Sequence, residues 1–276
     1  MPRGGADRRG AGHRPSVTSG GPASARAAAP TARPVPLPVS DEVALQALQD
    51  AARALDVALD ERAGQRLLAY WHLLQRWNQV YNLTALRDPG EMISHHLVDC
   101  LAVLPALRRG LIEARLLAAD GGAAAARPLS VLDVGSGGGL PGVVLAILQP
   151  EWRVHCVDTV AKKASFVSQV AAELGLPHLR GVHARVEALD PAQHAADLIT
   201  SRAFASLRLF TDLTAGLLRP TGVWAAMKGK STAQEEAELD AQVSVFHVEQ
   251  LTVPGLDAER CLVWMRAASG SDATPR

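Results

Sequence analysis

The chain has 276 residues, 48% of them hydrophobic, with 28 basic and 28 acidic side chains and a mean hydropathy near zero. That length suits one sizeable domain with a smaller subdomain. No apolar run approaches the roughly 18 to 20 residues of a membrane helix, and the arginine-bearing start lacks the apolar segment of a secretory signal. Residues 1–33 hold six arginines against one acid, leaving 22 basic and 27 acidic residues elsewhere, too acidic a remainder for a protein that coats nucleic acid without selectivity. Cys100, Cys156 and Cys261 are scattered and form no CxxC pair, which excludes a zinc ribbon, argues against a disulfide scaffold and fits a reducing cytoplasm.

Residues 1–39 are Arg, Ala, Pro, Gly and Ser with almost no large apolar side chains and read as a disordered extension. Ser40 followed by Asp41 and Glu42 is an N-cap with acids in the first turn. Leu67, Leu68, Trp71, Leu74 and Trp77 form a helical stripe over residues 61–80, and a further helix is expected over residues 89–108. A helical subdomain therefore covers residues 40–118, followed by a Gly/Ala-rich linker or insertion at 119–128. From there the period changes. Strands are expected at 130–134, 153–157, 179–183, 197–200, 223–227, 243–253 and 260–266, the first five separated by helices. That alternation gives a parallel sheet with right-handed crossovers, and the last two strands, joined across Pro254-Gly-Leu-Asp257, an antiparallel pair at one edge. The expected fold is α/β: a Rossmann-like, seven-stranded, mostly parallel sheet of the class I S-adenosylmethionine-dependent methyltransferase type over residues 129–268, plus the small helical subdomain and a flexible tail at 269–276.

The central motif is Val131-Leu-Asp-Val-Gly-Ser-Gly-Gly-Gly-Leu-Pro-Gly142: a strand, a glycine loop, then a helix with Pro141 at its start. Glycines admit close ligand approach, and the helix N-terminus offers free N–H groups. Gly137, Gly139 and Gly142 also satisfy the dinucleotide pattern G-x-G-x-x-G. Two features point the other way: Asp133 inside the strand suits the cationic amino group of S-adenosyl-L-methionine and sits poorly beside a pyrophosphate, and the antiparallel edge pair suits a methyltransferase better than a dehydrogenase. Asp158, ending the next strand, suits ribose hydroxyls and equally a helix N-cap. The segment Ala184-Arg-Val-Glu187 borders the adenine position in this architecture, with Glu187 alternatively an exposed acid of the first turn.

Arg202 lies at the carboxyl end of the fourth strand, where active sites of open α/β sheets gather. It suits an anion or a base face, or a surface ion pair. Phe204 is placed to stack a base or pack the core. Lys228 and Lys230 suit RNA phosphates or plain solvation, and residues 77–88, with Asn82, suit a cover over the cofactor pocket or an RNA contact. His95 and His96 diverge by about 100° on a helix, which makes a shared metal site unfavourable. The site has no Asn/Asp-Pro-Pro-aromatic segment and no strand-end cysteine nucleophile. The remaining target is an atom already nucleophilic, such as guanine N7, for which catalysis is alignment.

Together Tyr81-Asn-Leu-Thr, His96-Leu-Val-Asp99-Cys100, the Asp133–Gly142 loop, Ser201-Arg-Ala-Phe-Ala205 and Lys228-Gly229 resemble the GidB, or RsmG, family of 16S rRNA methyltransferases across residues 65–266. The resemblance implies methylation of guanine N7 at position 527, in the 530 loop of 16S rRNA, by direct in-line attack on the sulfonium methyl. It further implies Gly135, Leu140, Val186, Glu187 and Arg202 as S-adenosyl-L-methionine contacts, beside Asp133, Gly137 and Asp158. The corresponding expectations are Arg202 as a positioning residue without a general base, no metal and no membrane, and a cytoplasmic monomer acting on the small ribosomal subunit or its assembly intermediate. The long start and the insertion around residues 113–128 depart from the family pattern and bear on RNA engagement more than on catalysis. Rival readings are a methyltransferase for a protein or small molecule, an NAD-linked oxidoreductase resting on the glycine pattern alone, and a non-catalytic ribosome-binding factor.

Overall fold

The computed structural model describes residues 39–125, 127–229 and 232–268; the extension, the tail and Lys230 fall outside the described residues. Helix α1 (Asp41–Ala54) starts where expected, with the Ser40 hydroxyl accepting from the Val43 N–H at 3.3 Å. Helix α2 (Glu61–Tyr81) is capped by Asp60 and ends at Asn82, which adopts a left-handed conformation at φ 51°. The helix expected over 89–108 is longer and not uniform: α3 (Pro89–Met92) passes through a π-helical turn (Ile93–Val98) into α4 (Asp99–Glu113). Pro105 sits inside α4 without ending it, as the expected span had it. Leu101, Leu104, Leu107 and Leu111 are all buried on the remaining turns.

The rest alternates. β1 (Ser130–Val134) leads to α5 (Gly142–Leu148), β2 (Arg153–Asp158) to α6 (Ala161–Glu173), β3 (Leu179–His183) to a 3-10 turn (Val186–Ala188) and α7 (Pro191–His194), and β4 (Ala196–Arg202) to α8 (Leu207–Thr214). Then follow β5 (Leu218–Lys228), α9 (Ala233–Ala237), β6 (Val243–Gln250) and β7 (Cys261–Ala267). β5 begins before residue 223 because Leu218 pairs with Ala196 ahead of a register shift. β6 stops at Gln250, before the turn through Gly255 at φ 74°.

The seven strands form one sheet in the order β3-β2-β1-β4-β5-β7-β6. β1 to β5 are parallel, and β7 runs antiparallel to both β5 and β6. The expected architecture forms, with the antiparallel pair at one edge and β7 inserted inside β6. Alternating side chains serve two cores. Val131, Val154, Leu198 and Trp264 pack on one face with α1, α2, α4, α5 and α6. Leu132, Val157, Ile199 and Val263 pack on the other with Phe210 of α8. The N-terminal helices thus share a continuous core with the sheet, and their inner ends reach its carboxyl edge.

Candidate active site

The loop from β1 to α5 is held by two buried carboxylates. Asp133 is fully buried; its Oδ2 accepts from the Gly142 N–H at 2.8 Å, and its Oδ1 has no hydrogen-bond partner among the described residues. Burial pushes its carboxyl up to about 7, against the Gly142 bond and the Arg202 charge, which lower it. Gly142 must be glycine for this grip: a Cβ there would stand 2.8 Å from Asp133 Oδ2 and 2.4 Å from Cys156 Sγ. Asp158 closes the other side, Oδ2 accepting from the Gly137 N–H at 3.0 Å and Oδ1 from the Val160 N–H at 2.8 Å. Lys163 Nζ lies 3.8 Å away. The N-cap alternative for Asp158 is met only by that Val160 bond, because α6 has no side-chain cap.

Asp158 borders a cleft of about 360 Å³ at the carboxyl ends of β1 to β4, lined also by Gly135, Lys163, Val186, Glu187 and Phe204; Asp133 is fully buried and is not part of that lining. Gly135 takes φ 67° and lies under Phe204, whose Cδ2 would be 2.6 Å from any added Cβ. Phe204 is half-buried and meets Phe210 edge-on, centroids 6.1 Å apart. Val186 is buried, while Glu187 is exposed with Arg185 Nη1 at 3.5 Å. A larger cavity of about 460 Å³ lies between the α1–α2 loop, α4 and the end of α5. It is at the amino end of β2 and touches none of the glycine loop, so the smaller cleft is the candidate site.

The roof comes from the N-terminal helices. The Tyr70 hydroxyl donates to the Gly138 carbonyl at 2.5 Å. Beyond α2 the chain folds back through Asn78, whose amide takes the Thr84 N–H at 2.8 Å and donates to the Leu86 carbonyl at 2.7 Å. The Leu83 carbonyl comes within 3.9 Å of the Cβ position on Gly137.

Arg202 does not line the cleft; it points into the π-helical turn. Its guanidinium donates to the His95 carbonyl at 3.0 Å and to Asp99 Oδ2 at 3.2 Å, and faces His96 Nδ1 at 3.2 Å. Arg260 takes the other Asp99 oxygen at 2.8 Å. His96 Nε2 meets the Thr84 hydroxyl at 2.6 Å, and its Nδ1 also lies 3.0 Å from the His95 carbonyl; burial, then the Arg202 charge, lower its pKa to about 4. The surface ion pair weighed for Arg202 is therefore a buried one, and His96 is a packed, bonded residue. Insertion of a π turn, a feature frequent at functional sites, brings His96 and Asp99 to this junction.

Other expected residues sit differently. Leu140 packs its side chain in the core and bonds its N–H to the Ser136 carbonyl, so it shapes the loop and offers no side chain to the cleft. Lys228 is not free for phosphate: its ammonium bonds Glu235 at 2.8 Å and the Ala205 carbonyl at 2.9 Å. Asn82 is exposed and accepts from the Arg87 guanidinium. Asp99, Arg260, Tyr70 and Lys163 were missed as site-building residues; only Asp99, inside the His96-Leu-Val-Asp99 motif, carried a sequence signal.

The family model described as GidB, rRNA small subunit methyltransferase G, matches residues 63–263. The chain belongs to that family. A ribosomal RNA small subunit methyltransferase G from Acidovorax sp. (strain JS42) is 56% identical over 221 residues, 80% of this chain and 94% of that protein. Its counterpart from Leptothrix cholodnii is 55% identical over 218 residues, 79% and 93% of the two chains. The family match takes in the cleft, the roof and the Asp99 junction, and leaves α1 outside it.

Proposed function

We propose that this member of the methyltransferase G family transfers a methyl group from S-adenosyl-L-methionine to N7 of guanine 527 in the 530 loop of 16S rRNA. The observation that carries the cofactor is Asp133 Oδ1, a buried carboxylate oxygen beside the glycine loop with no hydrogen-bond partner among the described residues. A buried acceptor left unsatisfied is costly, and a ligand ammonium supplies what it lacks. Asp158 retains acceptor capacity on both oxygens for ribose hydroxyls, because each takes only one backbone N–H. Gly135 and Gly137 give close backbone approach, and Val186 and Glu187 flank the adenine. Bound S-adenosyl-L-methionine would supply an electrophilic methyl group.

Guanine N7 presents a lone pair in the plane of its ring, so the protein need remove no proton, and among the described residues no His, Cys, Asp and Glu cluster could hold a metal ion. The chain's task is orientation. Arg202 acts through the Asp99 junction to hold the Phe204 loop over Gly135, and Phe204 flanks the incoming base. The substrate is the small ribosomal subunit or its assembly intermediate, met in the cytoplasm by a monomer; among the described residues no helix is long and apolar enough to cross a membrane. The test is transfer of labelled methyl to subunits from a strain lacking the enzyme. Label in RNA that disappears with Asp133→Ala supports the assignment, and label in ribosomal protein or in neither polymer rejects it.

A further inference from the structure

Only five large hydrophobic side chains are exposed among the described residues, and two are neighbours: Val80 at 68% and Tyr81 at 38%. They occupy the last turn of α2, next to the left-handed Asn82 and the roof segment over Gly137. The Tyr81 ring is fixed by Trp77, centroids 5.1 Å apart, and by the Lys162 ammonium 5.8 Å from its centroid. Lys162 is exposed in the first turn of α6, beside the cleft-lining Lys163. It has no acidic partner among the described residues, whereas Lys163, Lys228, Arg76 and Arg202 each have one.

From this arrangement we infer that the Tyr81–Lys162 rim is where the RNA flanking the target guanine docks. It holds a preset aromatic ring, a cation with no acidic partner among the described residues and the exposed Arg87, whose guanidinium is held by the Asn78 carbonyl and Asn82, at the lip of the cleft that would receive the flipped base. Splayed bases are bound by stacking on aromatic rings, with cations meeting their phosphates. Guanine in a folded rRNA loop must leave its neighbours to enter a pocket, and Tyr81 offers a surface to the base it leaves behind. A protein partner would be served by Val80 and Tyr81 but gives no use to the unpaired Lys162. The inference rests on the ribosomal substrate proposed above.

The experiment compares wild type, Tyr81→Ala, Tyr81→Phe and Lys162→Gln for binding to undermethylated small subunits, for KM in methyl transfer, for S-adenosyl-L-methionine affinity and for thermal stability. Tyr81→Ala is expected to weaken subunit binding about 5- to 160-fold, the range for loss of one stacked base, and Tyr81→Phe to restore it. Cofactor affinity should stay within twofold for every variant. Lys162→Gln should lower the slope of log affinity against log salt by about 0.7 to 0.9, one phosphate contact. Unchanged subunit binding by Tyr81→Ala and an unchanged salt slope for Lys162→Gln overturn the inference, as does ultraviolet cross-linking of Tyr81 to a ribosomal protein in place of a nucleotide. Wild type that binds subunits without methylating them rejects the proposed reaction instead, and the binding comparison still decides the rim.

Discussion

Replacing Asp99 by alanine removes a buried carboxylate that serves two arginines distant in sequence, Arg202 and Arg260. Asp99 is 3% exposed and accepts from Arg202 at 3.2 Å and Arg260 at 2.8 Å. Removing one member of a buried ion pair costs about 3 to 5 kcal/mol, because the remaining charge loses its compensation. Here the cost falls at the lower end, about 3 kcal/mol, since Arg202 keeps the His95 carbonyl and the Arg260 side chain is 24% exposed. For a domain of this size each kcal/mol shifts Tm by about 2 to 4 °C, so a fall of about 6 to 12 °C is expected. Urea unfolding at constant m-value gives the free energy, and the double mutant with Arg260→Ala gives the coupling. A loss under about 1 kcal/mol, the level of an exposed pair, with additive single mutants would refute the reasoning that this junction is a buried electrostatic clamp.

Three further outcomes follow from the geometry. The carboxyl of Asp133 is raised from 3.8 to about 7, so the folded protein binds a proton that the unfolded chain has released. The Asp133 contribution to stability without cofactor should therefore fall as pH rises from about 4 to 7, by up to about 4 kcal/mol, opposite in sign to that of the buried histidines. Asp133→Asn should flatten that slope in unfolding titrations, and calorimetry should show S-adenosyl-L-methionine binding wild type more tightly as pH rises through 7. His96 is shifted the other way, to about 4, so its contribution is present above about pH 6.5 and is lost as pH falls toward 4. His96→Asn should remove its share of the acid limb, to which His155, also lowered to about 4 by burial and then by His194, and the depressed Asp197 carboxyl contribute as well; an unchanged acid limb would contradict the buried neutral state. Gly135→Ala forces a Cβ against Phe204 at φ 67° and should weaken cofactor binding more than tenfold by calorimetry, with about 1 to 3 kcal/mol of backbone strain.

The strands were legible because each is a short apolar run bounded by glycines, turns or helical stripes, and both faces of β1 are buried. The carboxylates Asp133 and Asp158 were legible because one lies inside β1 two residues before Gly135 and the other ends β2, positions that local sequence alone puts beside the glycine loop. The π turn was not: Ile93–Val98 contains no residue that signals a change of helical period. Nor was the clamp, since Arg202 and Arg260 reach Asp99 across 103 and 161 residues, and no local pattern encodes which surface a guanidinium turns toward. The ion pair of Lys228 was hidden for a nearer reason. Its partner Glu235 lies seven residues on, in α9, and the loop between them hides that the two converge.

The most direct measurement is mass-spectrometric mapping of the methyl group delivered by this chain into 16S rRNA of undermethylated small subunits. A single 7-methylguanine at position 527 in the 530 loop is the predicted result. Methyl on another atom or another base, with cofactor bound and Asp133 intact, would contradict the claim that this cleft orients guanine N7.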